Sequence, residues 1–145
     1  MAFKFSLATL LRVRQSIERQ EELALQEILV KIAAVQRRID TLANDLARTR
    51  QKLEEEMRQT LSAGEIDAIT RQIEATLGRR QELAESLEEL QRQREAQTRK
   101  FQAAHQRRRT LSDMRDSQLE TYLQERARAE QKFVDDVFGA RAQRN

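Results

Sequence analysis

The residue types that carry most enzyme chemistry are scarce in this sequence. There is no cysteine, which excludes thiol catalysis, thiolate metal sites and disulfides, and the single histidine, His105, has no second histidine with which to form a dyad or a metal cluster. Carboxylates do occur in clusters, for example at Glu88 and Glu89. On a long helix without a pocket, such a cluster is typical of a solvated face rather than of an acid–base pair. We therefore expect no catalytic residue, no metal and no cofactor.

Nucleotide and nucleic-acid binding have little support. The three glycines are widely separated, so there is no glycine-rich phosphate loop. The stretch 91–109 is rich in Lys and Arg, but Phe101 is its only aromatic residue, and base stacking usually needs several. We expect no nucleic-acid partner, and a basic nucleic-acid-binding rod that uses residues 92–109 stays the weaker alternative.

The composition also restricts the elements that could position a binding site. The chain has 145 residues, three glycines and no proline, so it has few of the residues that form turns, and folds with many turns are excluded. Charged residues make up 35% and hydrophobic residues 39%, which is typical of a few long helices that bury a narrow seam. No apolar run reaches the roughly 18 residues of a membrane span. Because the start also lacks a signal-peptide pattern, we expect a cytoplasmic location.

Apolar residues in the first half follow a heptad pattern. From Ile32 onwards their spacing alternates between three and four residues, which keeps one stripe facing a partner helix. The seam positions are Ile28, Ile32, Val35, Ile39, Leu42, Leu46, Thr49 and Leu53. Upstream, a wider apolar face predicts an amphipathic start to the same helix.

The pattern stops near residue 60 and resumes a few residues later. Ser62 and Glu65 fit a capping box, in which the serine oxygen accepts a hydrogen bond from the amide three positions on. We predict a tight turn at 60–65, close to Gly64, and a second helix that ends at Gly139. Its seam positions are Ile66, Ile69, Ile73, Thr76, Leu83, Leu87 and Leu90 and, after a weaker stretch, Leu111, Leu119, Tyr122, Leu123, Phe133 and Val137.

Two long helices joined by a short turn pack antiparallel. The predicted fold is therefore all-α, an antiparallel coiled-coil hairpin that forms a single domain over residues 1–145. Helix one is expected over about residues 3–60 and helix two over about residues 63–138, and facing residues have numbers that add to about 124. In this register a group of glutamates faces a basic stretch, and two arginines face a second group of glutamates. The facing groups are Glu18, Glu21, Glu22 and Glu27 opposite Arg99, Lys100, Arg107, Arg108 and Arg109, and Arg37 and Arg38 opposite Glu82, Glu85, Glu88 and Glu89. Complementary charges thus favour this register.

The same register leaves the end of helix two unpaired. Residues past about 120 have no counterpart on helix one, and at about 1.5 Å per residue they add roughly 25 Å of helix. This overhang, residues 121–145, carries large apolar residues such as Leu123, Phe133 and Phe138. Apolar residues on an unpaired helix indicate a partner.

Both ends of the sequence resemble those of the FliJ family of flagellar protein-export components. The opening segment, residues 3–14, has an aromatic-containing start followed by a Leu-Leu-x-x-Arg pattern. The closing segment, residues 128–136, contains a Glu-Gln-Lys-x-x-Asp core, which is the most specific element. With the coiled-coil body between them, the resemblance covers nearly the whole chain.

The resemblance implies a non-enzymatic cytoplasmic coiled coil, similar to the stalk of the gamma subunit of rotary ATP synthases. The implied partners are the hexameric flagellar export ATPase, the cytoplasmic part of the membrane export-gate protein and the export chaperones. Association with the inner membrane would run through the export apparatus, without direct insertion. Some members carry aromatic residues just after the turn, where this sequence has Ile66, Ile69 and Ile73, so no gate-binding residues are carried over.

Within the overhang we expect one set of partner-binding residues. Polar contacts are assigned to Arg128, Gln131, Lys132, Asp135 and Asp136, and apolar anchoring to Phe133, Val137 and Phe138. The main alternative function is a structural coiled coil that associates with itself through the overhang. A related stalk in an injectisome-type secretion system is also left open.

Overall fold

The computed structural model describes residues 2–59 and 62–144, and in it two long helices pack against each other as a hairpin. Helix α1 spans Ala8–Met57 and helix α2 spans Ala63–Arg144. There is no strand in the described residues. The predicted all-α hairpin is therefore confirmed, while residues 60 and 61 of the predicted turn lie outside the described residues.

The predicted seam is the stripe along which the two helices bury their side chains. On α1 each predicted seam position from Ile28 to Leu53 is buried or partly buried, and on α2 the same holds from Ile66 to Leu90. Leu46 is the most enclosed of these residues. Most positions beside the seam are exposed, so the interface is one stripe wide, as heptad packing requires.

By their contacts the residues group into two compact units. One consists of the residues up to Gln20 together with those from Phe101 onwards, and the other is Glu21–Lys100. The second unit holds the regular heptad seam that includes Leu46. The first unit holds a different core, in which aromatic side chains take part.

The core of the first unit is closed by the segment before α1. Phe5, Leu11 and Leu111 form a buried cluster, and Phe3 and Leu7 pack against it. The carbonyl of Phe5 also accepts a hydrogen bond from the backbone N–H of residue 8 at 3.1 Å, where α1 begins. The opening segment therefore fastens the start of α1 to α2.

Ser62 caps the start of α2. Its Oγ accepts a hydrogen bond from the backbone N–H of Glu65 at 3.2 Å, and its carbonyl accepts one from the N–H of Ile66 at 3.2 Å. The side-chain bond confirms the serine half of the predicted capping box, and it satisfies an amide that the helix start would leave unpaired. Gly64 lies in the first turn of α2 and has no positive φ.

The predicted end of α2 at Gly139 is wrong, because the helix continues to Arg144. Gly139 does not take the positive φ with which a glycine ends a helix. A glycine inside a helix costs about 1 kcal/mol relative to alanine, and the neighbouring Ala140 and Ala142 are the best helix formers. Arg141 and Arg144 lie in the last turn, where positive charge stabilises the helix dipole.

The buried cluster gives a stability prediction for Leu11→Ala. Leu11 is 4% exposed, so its truncation leaves a cavity beside Phe5 and Leu111, and the free energy of unfolding is expected to fall by about 2–4 kcal/mol. The adjacent Leu10 is 41% exposed, and the control Leu10→Ala is expected to lose less than about 1 kcal/mol. Urea unfolding followed by circular dichroism measures both losses. Equal losses in the two variants would contradict a core closed by the opening segment.

Candidate functional site

The last part of α2 is open to solvent along its whole length. Each residue from Leu123 to Arg144 is exposed, whereas Tyr122 is partly buried and its ring centre lies 5.5 Å from that of Phe3. We call residues 123–144 the exposed end of α2. Phe133 is 69% exposed and Phe138 is 62% exposed. Large apolar side chains left open to water in this way are typical of a surface that binds another protein.

The exposed end contains the whole set of predicted partner-binding residues. All of them are accessible, namely Arg128, Gln131, Lys132, Phe133, Asp135, Asp136, Val137 and Phe138. At 3.6 residues per turn, however, they spread around the helix, and Asp136 and Phe138 lie on the flanks between two opposite faces. Phe133 and Val137 lie on one face, and Arg128, Lys132 and Asp135 lie on the opposite face. A flat partner surface contacts one of these faces at a time, whereas a partner that surrounds the helix contacts both.

The apolar face of the exposed end continues the heptad spacing of the coiled coil. Six positions separated by alternating steps of four and three residues form one stripe, which we call the end stripe. Its members are Leu119, Leu123, Arg126, Glu130, Phe133 and Val137. All of them are exposed except Leu119, which is partly buried.

Sequence reasoning missed the two charged members of the end stripe. Arg126 Nε lies 3.4 Å from Glu130 Oε1, so the two side chains form an ion pair one helical turn apart. A search for apolar residues passes over them. Their four-residue spacing, combined with their place in the heptad, was the signal that could have identified them.

On the polar face two of the predicted contact residues bind each other. The Gln131 side-chain amide donates a hydrogen bond to Asp135 Oδ1 at 3.0 Å. Both groups are exposed, so a partner would have to exchange this bond for one of its own. That exchange costs little, because exposed polar pairs of this kind contribute only a few tenths of a kcal/mol.

A second group of polar residues lies where the two helices meet in the first unit. Arg108 Nε donates to Glu18 Oε2 at 2.6 Å, and His105 Nδ1 lies 3.5 Å from Oε1 of the same carboxylate. Arg108 also donates to Ser112 Oγ at 3.4 Å. The hydrogen bond from Arg108 lowers the pKa of the Glu18 carboxyl, while burial opposes this shift and His105 adds to it. These groups bind one another across the hairpin, so we interpret the cluster as structural.

Contacts between the helices lie within one heptad of the predicted register. Glu18 meets Arg108 in the first unit, close to the facing rule in which residue numbers add to about 124. In the second unit, Gln97 Nε2 donates to the carbonyl of Glu21 at 3.1 Å and also to its carboxylate. These two residue numbers add to 118, six below the facing rule. The predicted arginine and glutamate positions share a groove of about 650 Å³, whose lining includes Arg37, Arg38, Leu42, Glu82 and Leu83.

The part of the chain that the structure describes holds neither a metal-binding cluster nor a membrane-spanning helix. Within residues 2–59 and 62–144 there is no group of three His, Asp or Glu side chains placed to hold a metal ion. None of the helices in these same ranges combines the length and apolar character needed to cross a membrane.

Comparison with known proteins identifies a family. The model of the family described as "Flagellar FliJ protein" matches residues 3–145. The match includes the opening segment that closes the first core and the exposed end of α2. No curated protein and no solved structure matches the chain.

The Glu18–Arg108 pair gives a prediction for pH dependence. Because the pKa of Glu18 is lowered in the folded state, its charged form stabilises the fold above the unfolded value of 4.5, and this stabilisation is lost as pH falls through the folded pKa. Glu18→Gln is expected to lower the free energy of unfolding at neutral pH by about 1–2 kcal/mol. It should also flatten the decline of that free energy as pH falls below about 5.

Urea unfolding at a series of pH values measures both effects. The matched control is Glu27→Gln, which removes an exposed carboxylate whose ion pair with Lys31 lies on the surface of α1. Surface pairs of this kind contribute little, so the control should follow the unmodified chain. If both variants had the same pH profile, the ion pair between the helices would not be the cause.

Proposed function

The chain belongs to the FliJ family of flagellar proteins, and we propose that it serves the flagellar protein-export apparatus as a non-catalytic, stalk-like partner of the hexameric export ATPase. Family membership implies the export apparatus. The exposed end of α2 carries the rest of the proposal, because it offers apolar and charged contact residues without a covering element.

The distribution of contact residues favours a partner that surrounds the helix. Phe133 and Val137 supply apolar anchoring on one face, while Arg128, Lys132 and Asp135 supply polar contacts on the opposite face. The central pore of a ring of ATPase subunits offers contacts on all sides of a helix. A single flat subunit surface would leave one of the two sets unused.

Weak and interchangeable contacts suit a helix pair inside a sixfold ring, because the pair cannot match all subunits at once. Many charged side chains on the outer faces pair within their own helix, as Arg71 does with Asp67 at 2.9 Å and Arg92 does with Glu89 at 3.5 Å. Exposed pairs contribute at most about 1 kcal/mol, so they can exchange partners readily. By binding one subunit state more tightly than others, the chain would bias ring assembly or the order of ATP turnover.

The family resemblance adds two further partners to the proposal, the cytoplasmic part of the export-gate protein and the export chaperones. No residues are assigned to the gate near the turn. Ile66, Ile69 and Ile73, which replace the aromatic residues of some members, are partly buried in the seam, and this weighs against gate contact through them. The chain would act on the cytoplasmic side, and any membrane association would run through these partners.

The contact residues are tested by the double substitution Phe133→Ala with Phe138→Ala. Loss of two exposed aromatic anchors is expected to weaken binding to the purified export ATPase at least about tenfold, equivalent to about 1.4 kcal/mol. Val30→Ala is the control, because Val30 is a large apolar residue of α1 that is 66% exposed and lies outside the exposed end. Calorimetric titration measures the affinities. Unchanged affinity after deletion of residues 122–145 would contradict the proposed surface.

The proposed effect on the ATPase is tested separately from binding. Addition of the full chain to the purified enzyme is expected to increase the fraction of hexamer, measured by sedimentation, and the rate of ATP turnover. Both increases should be lost with the Phe133→Ala and Phe138→Ala double variant. If the full chain bound but changed neither quantity, the proposed bias on assembly and turnover would be wrong.

A further inference from the structure

The end stripe is symmetric about its centre. Counted from Arg128, Arg126 and Glu130 are equally distant on either side, and so are Leu123 and Phe133. The steps between stripe residues therefore read the same in both directions along the helix. The central pair is opposite in charge and the next pair is apolar at both ends. A stripe with this pattern is complementary to a second copy of itself that runs the other way.

We propose that a second copy of this chain pairs antiparallel with the first along the end stripe. In this register Arg126 of each copy faces Glu130 of the other, and Leu123 of each faces Phe133 of the other. Val137 of each copy faces Leu119 of the other, which is only partly buried in the single chain. The second helix continues the seam of the hairpin beyond the point where the opening segment covers α2.

Charge selects the antiparallel arrangement over a parallel one. A parallel pair in register would place Arg126 against its own copy and Glu130 against its own copy, in the central layers of the interface. Like charges at such positions are strongly unfavourable. A parallel pair shifted by one heptad would instead place Arg126 against Phe133 and Glu130 against Leu123. Only the antiparallel register satisfies both charges and both apolar residues.

The flanks of the stripe permit close approach of the two helices. Ala127 and Ala129 lie on either side of the stripe beside its centre, so each alanine comes close to its own copy across the symmetry axis. Neither side chain carries a charge or enough bulk to separate the helices. The centre of the interface therefore contains two complementary ion pairs flanked by small residues.

A groove on α2 supplies space for the second copy. It has a volume of about 600 Å³, and its lining residues are Asp116, Leu119, Glu120, Leu123, Gln124 and Ala127. In the antiparallel register Val134 of the second copy comes to the level of residue 122, and Phe138 comes to the level of residue 118, both within the span of the groove. Both are exposed apolar residues in the single chain, and in the groove they would pack against Leu119 and Leu123.

The symmetry that supports the self-pair does not depend on the proposed ATPase partner, but the second copy and the ATPase would compete for the same surface. Phe133 and Val137 would be covered in the self-pair, and they are two of the three proposed apolar anchors for the ATPase. The two complexes therefore exclude each other. In the absence of the ATPase, the self-pair would keep the apolar residues of the exposed end out of water. Binding of the ATPase would then displace the second copy.

The test is a charge exchange in the full chain, read out by sedimentation velocity over a dilution series. The unmodified chain is expected to show a dimer that dissociates on dilution. Arg126→Glu brings a carboxylate against Glu130 of the second copy, and Glu130→Arg brings two guanidinium groups together. Each single variant is expected to weaken dimerisation at least about tenfold. The double variant R126E/E130R should recover the dimer, because its charges remain complementary.

A mixture of the two single variants separates pairing between copies from the ion pair within the helix. Neither variant can form the Arg126–Glu130 pair within its own helix, yet in the mixture all charges facing each other across the antiparallel interface are opposite. We expect a mixed dimer with an affinity near that of the unmodified chain. Arg128→Glu, on the polar face, is the control and should leave dimerisation unchanged.

These outcomes decide the proposal without reference to the ATPase. A chain that stays monomeric at every concentration would overturn it, and so would single variants that dimerise as tightly as the unmodified chain. If Arg128→Glu weakened the dimer as much as Arg126→Glu does, the interface would lie elsewhere. Circular dichroism of each variant checks that α2 remains helical. A variant that dimerises but does not bind the ATPase would leave this inference standing. A variant that binds the ATPase but does not dimerise would leave the proposed function standing.

Discussion

The structure depends on one apolar stripe that recurs every three or four residues along both helices. Two helices packed side by side have no second layer to cover their other faces, so everything outside the stripe must tolerate water. The described core residues are accordingly few and spread out, namely Phe5, Leu11, Leu46, Ala104 and Leu111. Burial of apolar area still supplies most of the stability, but each residue contributes through a narrow contact. Features that fix the position of the stripe therefore matter more here than in a globular domain.

A heptad seam by itself does not define the register, because a slip of seven residues restores the same apolar pattern. Contacts that occur once are needed to remove this ambiguity. The first unit provides them through the hydrogen-bonded pair of Glu18 and Arg108 and through the packing of Phe5 against Leu111. The second unit provides one through Gln97 and Glu21. Such contacts would be lost at any other register, whereas the leucine and isoleucine layers would survive.

Periodic features could be predicted from the sequence, and features without a period could not. The seam positions, the hairpin, the Ser62 cap and the facing of the acidic stretch that includes Glu18 by the basic stretch that includes Arg108 all follow from spacing or charge. The role of Phe5 does not. The sequence predicted helix one from about residue 3, whereas α1 begins at Ala8, so Phe5 lies in a segment before the helix that has no repeat to indicate what it packs against. The helix end was placed wrongly at Gly139 because residue type was considered without the strong helix formers around it. For the exposed end, the sequence indicated which residues are accessible. The division of these residues between opposite faces follows from their angles around α2, which a list of exposed residues does not contain.

The contact between Phe3 and Tyr122 has a practical consequence. It places Phe3 at the level at which the exposed end of α2 starts. A purification tag or a fluorescent protein fused ahead of Phe3 would therefore lie next to the exposed end of α2, which other molecules are expected to bind. Fusions at that terminus would obstruct the surface by their bulk alone, and a label intended only to report on the molecule would alter its associations.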